Sequence, residues 1–415
     1  MDGNEILLLG LGIKSPWKLI DQRLDMDKEP HELHLSVGSD RGTKYPCPVC
    51  GVDCPAHDFQ DKTWRHLNFF QHHCYIHASV PRVRCPEHGV KLVEVPWARK
   101  GSAFTLLFEQ AALTLAREMP VRAAARIIEI NDHRLWRIIE HYVAKAVAGF
   151  DLSKVQAVGL DETASKRGHN YVTVFIDMQR REKPVLFVTP GHGKATLQAF
   201  RKFLITHKGQ PEQILEVVCD MSGAFLSAVP RHLPNARITV DWFHIVQTFT
   251  RALDEVRKAE GRVRPLPKHL RWAVLKRGEA DRLSTNQLKA MAELLEQGLD
   301  TATAWRVKER LRWVRQAKTP QAARWRITRF INYASELVAE NRLLEPVRKA
   351  LQTLSTHAER VARRWTSTYT NARLEGLNGL FQAARARARG YRNTQTFVTI
   401  IYMIGSPAGT VLKST

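Results

Sequence analysis

Five short apolar runs and two helical ones follow each other between Val155 and Asp241 in an order that few folds accept. Residues 155–160, 171–177 and 184–189 are rich in Val, Ile, Leu and Phe and are separated by charged turns, which predicts three consecutive strands of a meander. A helical pattern over 195–206 follows the loop Gly191-His192-Gly193-Lys194. A fourth strand over 214–219, a helix near 224–232 and a fifth strand over 236–240 complete the series.

Three hairpin strands, then helix, strand, helix, strand is the order of a ribonuclease-H-like mixed sheet. In that order the fourth strand returns beside the first. The first run ends on Asp161-Glu162, the fourth on Asp220 and the fifth on Asp241-Trp242-Phe243-His244. Asp161 and Asp220 are therefore expected about one strand spacing apart, whereas Asp241 lies one strand further out. Two close carboxylates repel unless cations join them, and a pair of divalent ions is what phosphodiester chemistry uses.

A third acid lies far downstream. Glu375, in Leu374-Glu375-Gly376-Leu377-Asn378, starts a helix expected over 371–389, with Asn371 and Asn378 about one turn away on either side. Alone it reads as a solvated surface carboxylate. Between it and the strands, 248–364 carries no strand signal but successive helices rich in Arg, Lys, Leu, Ala and Trp, with turns at Pro265-Leu266-Pro267 and Thr319-Pro320. This reads as an all-helical insertion, after which the apolar tail 396–404 is expected to pack on the domain.

Upstream, five of the six cysteines fall between Cys47 and Cys85, and Cys219 stands alone in an apolar run. Pro46-Cys47-Pro48-Val49-Cys50-Gly51 is a tight turn holding two thiolates two residues apart; Cys85-Pro86-Glu87-His88-Gly89 repeats it with a His in the last place. Cys47, Cys50, Cys85 and His88 are the expected ligands of a closed structural Zn²⁺ site, with Cys54, His57, His73 and Cys74 as alternatives. Helical patterns over 103–117, 121–130 and 134–146, the last capped by Asn131-Asp132-His133, suggest a helix-turn-helix that turns Arg134, Trp136 and Arg137 toward DNA.

The net charge is +22 and the pI about 10.0. The basic residues lie in amphipathic, Trp-containing segments and not in a tail, so the expected partner is a polyanion, DNA first. The apolar run 6–11 is too short to span a bilayer and no cationic leader precedes it, so a cytoplasmic, nucleoid-associated protein with no membrane partner is expected.

In this order the chain is similar to bacterial insertion-sequence transposases of the ISL3 family. The resemblance runs from about Pro46 to the end, carried by the Cys-Pro-x-Cys-Gly knuckle, the helix-turn-helix, Gly159-Leu160-Asp161-Glu162, Asp241-Trp242-Phe243-His244 and Leu374-Glu375-Gly376-Leu377-Asn378. It implies an Asp-Asp-Glu triad of Asp161, Asp220 and Glu375 holding two Mg²⁺ ions, or Mn²⁺ in their place, supported by Asp241, His244 and Asn378. It further implies cleavage at element ends, transfer into target DNA, and a homodimer, since two ends need two active sites. Lys166 and Arg167 join Arg134, Trp136 and Arg137 as expected DNA contacts. The expected division is 1–98 zinc-binding, 99–150 helix-turn-helix, 151–247 catalytic, 248–366 helical insertion and 367–415 catalytic helix. The rival readings are a zinc and helix-turn-helix transcriptional regulator without catalysis, and a nuclease that cuts but does not join.

Overall fold

The computed structural model describes residues 8, 10–166, 168, 170–266, 268–275, 284–367, 369 and 372–407. It forms two compact units, one within Met1–Ala144 and one of Lys145–Pro407.

The first unit is built on a mixed sheet of β1 (Lys18–Asp25), β2 (Glu32–Gly38), β3 (Lys44–Pro46), β4 (Asp53–Phe69), β5 (His72–Cys85) and β6 (Gly89–Leu92), in the order β1-β2-β5-β4-β3 with β6 on β5. β2 alternates as a half-buried strand does: Leu35 and Val37 are buried and Leu33 half-buried on one face. β4 and β5 form a long antiparallel hairpin that the sequence reading did not anticipate. It accounts for the wide gap between the two cysteine turns, because the hairpin carries the chain out and returns Cys85 to its starting end. Trp97 anchors the core, meeting Trp17 and Trp64 edge to face at 5.0 and 5.5 Å.

Three helices complete this unit: α1 (Leu106–Glu118), α2 (Val121–Ile127) and α3 (Asp132–Ala148). Thr105 caps α1 by accepting from the Phe108 amide at 3.3 Å. The second helix stops three residues earlier than expected, where Glu129 takes a left-handed backbone (φ 56°) that no helix continues through. Asn131 then accepts from the His133 amide at 2.9 Å at the start of α3. Glu109, fully buried, is held by Arg99 at 2.9 Å and by the Tyr142 hydroxyl at 2.7 Å, so α1 and α3 share one paired charge.

The second unit holds a five-stranded sheet of β7 (Ala157–Lys166), β8 (Asn170–Asp177), β9 (Val185–Pro190), β10 (Glu216–Cys219) and β11 (Arg237–Val240), ordered β11-β10-β7-β8-β9. β7, β8 and β9 pair antiparallel; β10 and β11 run parallel to β7. Helices α4 (Lys194–Thr206) and α5 (Gly223–His232) cover one face through Leu197, Phe200, Leu204, Phe225 and Val229.

One expectation is corrected here. β7 does not end at Asp161 but runs on to Lys166, because its hairpin with β8 continues through Asp161↔Val174 and Thr163↔Val172. What ends is the other neighbour: the parallel register with β10 stops at Val218↔Gly159. Asp161 is thus paired on one side and open on the other.

From α6 (Trp242–Glu260) onward the chain is helical: α7 (Leu270–Leu275), α8 (Thr285–Glu296), α9 (Asp300–Arg315), α10 (Pro320–Val338) and α11 (Glu345–Ala362). They share one core that includes Phe249, Leu311, Phe330 and Leu354. The chain then returns to the sheet as α12 (Ala372–Arg387) and α13 (Thr394–Gly405). The apolar tail is helical and buried, and the Tyr402 hydroxyl accepts from the Val188 amide of β9 at 2.9 Å.

Candidate active site

The approach of α12 to β7 builds the site. Gly159 has no side chain where a Cβ would stand 3.4 Å from Leu374 Cδ1 and 2.6 Å from Met178 Sδ, so the helix packs close. A ladder of polar contacts then runs up the strand. Asn378 Nδ2 donates to Asp161 Oδ2 at 2.9 Å, Gln382 Nε2 to Thr163 Oγ1 at 2.7 Å and to the Ala164 carbonyl at 2.9 Å, and Arg385 to that same carbonyl at 2.9 Å. The spacing 378, 382, 385 is one helix face, and Gly159, Asp161 and Thr163 are one strand face. Glu375, half-buried, stands one turn before Asn378 on α12.

Asp220 follows the last residue of β10 and accepts from the Ser222 amide at 2.9 Å, which bends the loop into α5. Its charge reaches Asp161. Burial pushes the Asp161 carboxyl up to about 6, and Asp220 pushes the same way against the Glu162 amide, His244 and Asn378. Glu162 is raised as well, by burial first and then by Asp220, while His192 and the Gly193 amide oppose. From the end of β10, Asp220 thus acts on the charge of both Asp161 and Glu162.

Asp241 follows β11, the strand beside β10. It is buried, caps α6 by accepting from the Phe243 amide at 3.3 Å, and shares its charge with Arg364. His244, one turn into α6, acts on Asp161 instead. Among the described residues, His244 Nε2 and Asn378 Oδ1 are buried without a hydrogen-bond partner. A buried carboxyl that resists ionising, a like charge beside it and an unsatisfied amide oxygen form a hard-oxygen donor set that suits a divalent cation.

The zinc candidates are arranged differently. Cys47, Cys50, Cys85 and His88 place their ligand atoms within 4.8 Å of one another, the one such set of three or more among the described residues; the acids are not gathered that tightly. Cys50 Sγ lies 3.6 Å from Cys85 Sγ, and Cys85 Sγ lies 3.5 Å from His88 Nδ1. A disulfide would need about 2 Å, whereas thiolates sharing one tetrahedral zinc stand about 3.8 Å apart. Gly51 and Gly89, at φ 75° and 68°, close the two turns. Of the alternative ligands, Cys54 is buried beside Cys85, whereas His57 meets Arg84 at 3.4 Å, His73 meets Glu129 at 2.6 Å, and burial pushes the Cys74 thiol up to about 12.

Arg134 and Arg137 are exposed on α3 and Trp136 is half-buried; the Arg134 guanidinium lies 4.3 Å from the centre of the Phe104 ring. Lys166 donates to the Arg392 carbonyl at 2.8 Å, while Arg167 and Asn371 lie outside the described residues. The sequence reading passed over Glu162, His192, Gln382 and Arg385 as site residues. The spacing of Gln382 and Arg385 from Asn378 was the available signal for those two; nothing local marks His192. Among the described residues no helix is long and apolar enough to cross a membrane.

Comparison with known proteins gives the same three-part order. Residues 158–401 match the ISL3-type DDE family described as a transposase, 93–143 match the helix-turn-helix domain of transposase family ISL3, and 44–88 match the zinc-finger of transposase IS204/IS1001/IS1096/IS1165. The transposase for insertion sequence element IS1001 of Bordetella parapertussis is 26% identical over 363 residues, 85% of this chain and 86% of that one. The transposase for insertion sequence element IS1557 of Mycobacterium tuberculosis is 31% identical over 202 residues, 48% of this chain and 44% of that one.

Proposed function

The chain belongs to the ISL3 family of DDE transposases, which cleave DNA and transfer strands, and from that premise we propose that Asp161, Asp220 and Glu375 are its catalytic triad on a ribonuclease-H-like sheet. The observation that carries this reading is the Asn378–Asp161 hydrogen bond, which joins the helix bearing Glu375 to the strand beside Asp220. The strand order β11-β10-β7-β8-β9, antiparallel on one side of β7 and parallel on the other, supports the fold assignment. The division into 1–98, 99–150, 151–247, 248–366 and 367–415 is part of the same proposal.

The three acids would hold two Mg²⁺ ions, with Mn²⁺ able to replace them. When bound, such ions activate the attacking hydroxyl and stabilise the leaving oxygen of an in-line displacement at phosphorus. The chain's own residues do the rest. Asn378 fixes one oxygen of Asp161, the Ser222 amide orients Asp220, and His244 adds positive charge beside Asp161 when protonated. Asp241 supports by capping α6, which carries His244.

Cys47, Cys50, Cys85 and His88 hold the N-terminal turns on zinc, and α3 presents Arg134, Trp136 and Arg137 to the terminal repeats of the element. Two copies of the chain act on a pair of ends. Glu375→Gln tests the assignment: incubated with labelled end DNA, a target plasmid and Mg²⁺, it is expected to lose cleavage and joining by at least about a hundredfold while end binding holds. Full activity in Glu375→Gln would overturn the triad. In the parent protein, cut but never joined DNA would point to a nuclease, and bound but uncut DNA to a regulator.

A further inference from the structure

Helices α9 and α10 carry a surface on which several arginines and aromatic rings meet. The Arg310 guanidinium lies 5.3 Å from the ring centre of Trp313 and 5.5 Å from that of Tyr333. Arg326 lies 5.2 Å from Trp313 and donates to its carbonyl at 2.7 Å, while Arg329 lies 5.7 Å from Trp325. Trp313 and Trp325 meet edge to face at 5.7 Å. Trp325 is 56% exposed and Tyr333 44%, although α10 buries its opposite face through Ala323, Ile327, Phe330, Ala334 and Val338. The core is therefore satisfied without Trp325 and Tyr333, whereas Trp313 packs partly against it.

Charge sharpens the contrast. Among the described residues Arg310, Arg326 and Arg329 pair with no carboxylate, whereas Arg312 and Arg324 on the same two helices are matched to Glu309 and Glu359. Bare aromatic faces flanked by unneutralised guanidiniums, in a chain of net charge +22, complement a polyanion that itself offers flat π faces. Intact duplex DNA meets the charge requirement only, since its base faces are stacked inside. An unpaired nucleotide meets both.

We propose that this surface is a stacking site for an unpaired nucleotide of the DNA being processed. Trp325 takes the base, Arg329 and Arg310 take the flanking phosphates, and Arg326 holds Trp313 against the edge of Trp325. The inference rests on the reading of the chain as a DNA-cutting enzyme but not on the identity of the triad. Its test therefore measures binding without magnesium, where no strand is cut.

Full-length, zinc-loaded protein is titrated against two fluorescent oligonucleotides of one sequence, fully paired or with an unpaired tract at one end. Trp325→Ala is expected to weaken binding of the unpaired-end DNA about tenfold or more and to leave the paired DNA within about twofold. Trp325→Phe, which keeps a ring, should retain most of the preference and serves if the alanine variant is poorly folded. Arg329→Ala should weaken both and reduce the salt dependence by about one phosphate contact. Parent-like binding of the unpaired-end DNA by Trp325→Ala, or an equal loss on both DNAs by Trp325→Ala and Trp325→Phe alike, would overturn the stacking site. Neither result would alter the Glu375→Gln outcome.

Discussion

In the N-terminal unit three sulfur donors and one imidazole from two short turns stand within 4.8 Å of one another; in the second unit Asp220 raises the buried Asp161 carboxyl while an amide oxygen of Asn378 is left unsatisfied. The first arrangement suits an ion that becomes part of the fold, with four protein ligands and no position left for substrate. The second leaves room. Its acids come from different elements, and one of them is costly to ionise until a cation arrives. On the proposed assignment, compactness separates a structural metal site from a reactive one in the same chain.

Removing a thiolate should break that contrast most severely. Cys50→Ser is expected to lose the bound zinc and the cooperative unfolding of the N-terminal unit, because structural zinc contributes about 10 kcal/mol or more to small domains of this kind. Metal analysis and calorimetry check it. Retention of one zinc per chain would mean that Cys54, buried beside Cys85, takes the vacant place.

A pH scan of zinc-loaded, magnesium-free protein sharpens the comparison, because the two units should respond with opposite sign. Burial, with Arg65 adding to it, holds the His66 imidazole down at about 4, so the unfolded chain takes up that proton first as pH falls. The N-terminal unit then loses about 3 kcal/mol between roughly pH 6.5 and 4. Asp161 is raised to about 6, so the folded state holds its proton longer. Its contribution is present below about pH 4 and is lost as pH rises through about 6. On acidification the first unit's unfolding temperature should drop while the second's is relatively supported; parallel shifts of both would refute this.

The smallest effect belongs to Asn378→Ala. Without its hydrogen bond Asp161 should ionise up to about one pH unit later, and the acidic limb of the cleavage profile should move upward by that amount. An unmoved limb with reduced rate would mean that Asn378 only packs.

Much of this was legible in the chain because the signals are local. The apolar runs between Val155 and Val240 correspond to β7–β11 within a few residues, since a strand needs only its own β-branched and aromatic residues and the turns that bound it. The helices from α6 onward follow their 3.6-residue pattern in the same way. Two features were not readable. The middle of β4 is largely polar on both faces, with His57, Asp58, Gln60, Asp61 and Lys62 among its residues, so no apolar run announces the β4–β5 hairpin. The extension of β7 beyond Asp161 depends on pairing with β8, which an acid in mid-run conceals.

By itself the sequence determined the two cysteine turns, the run of strands and helices that begins at Val155, and the acids near their edges, because each rests on chemistry within a few residues of backbone. Only the tertiary structure decided which of those acids meet. Asp161 and Asn378 are 217 residues apart and touch because β10 stops short beside β7 and because Gly159 leaves space for Leu374. Asp241, equally well marked in the chain, is turned to cap α6 near Arg364 instead. Proximity across such separations is set by how sheet and helix pack, and packing is a property of surfaces that no local run of residues contains.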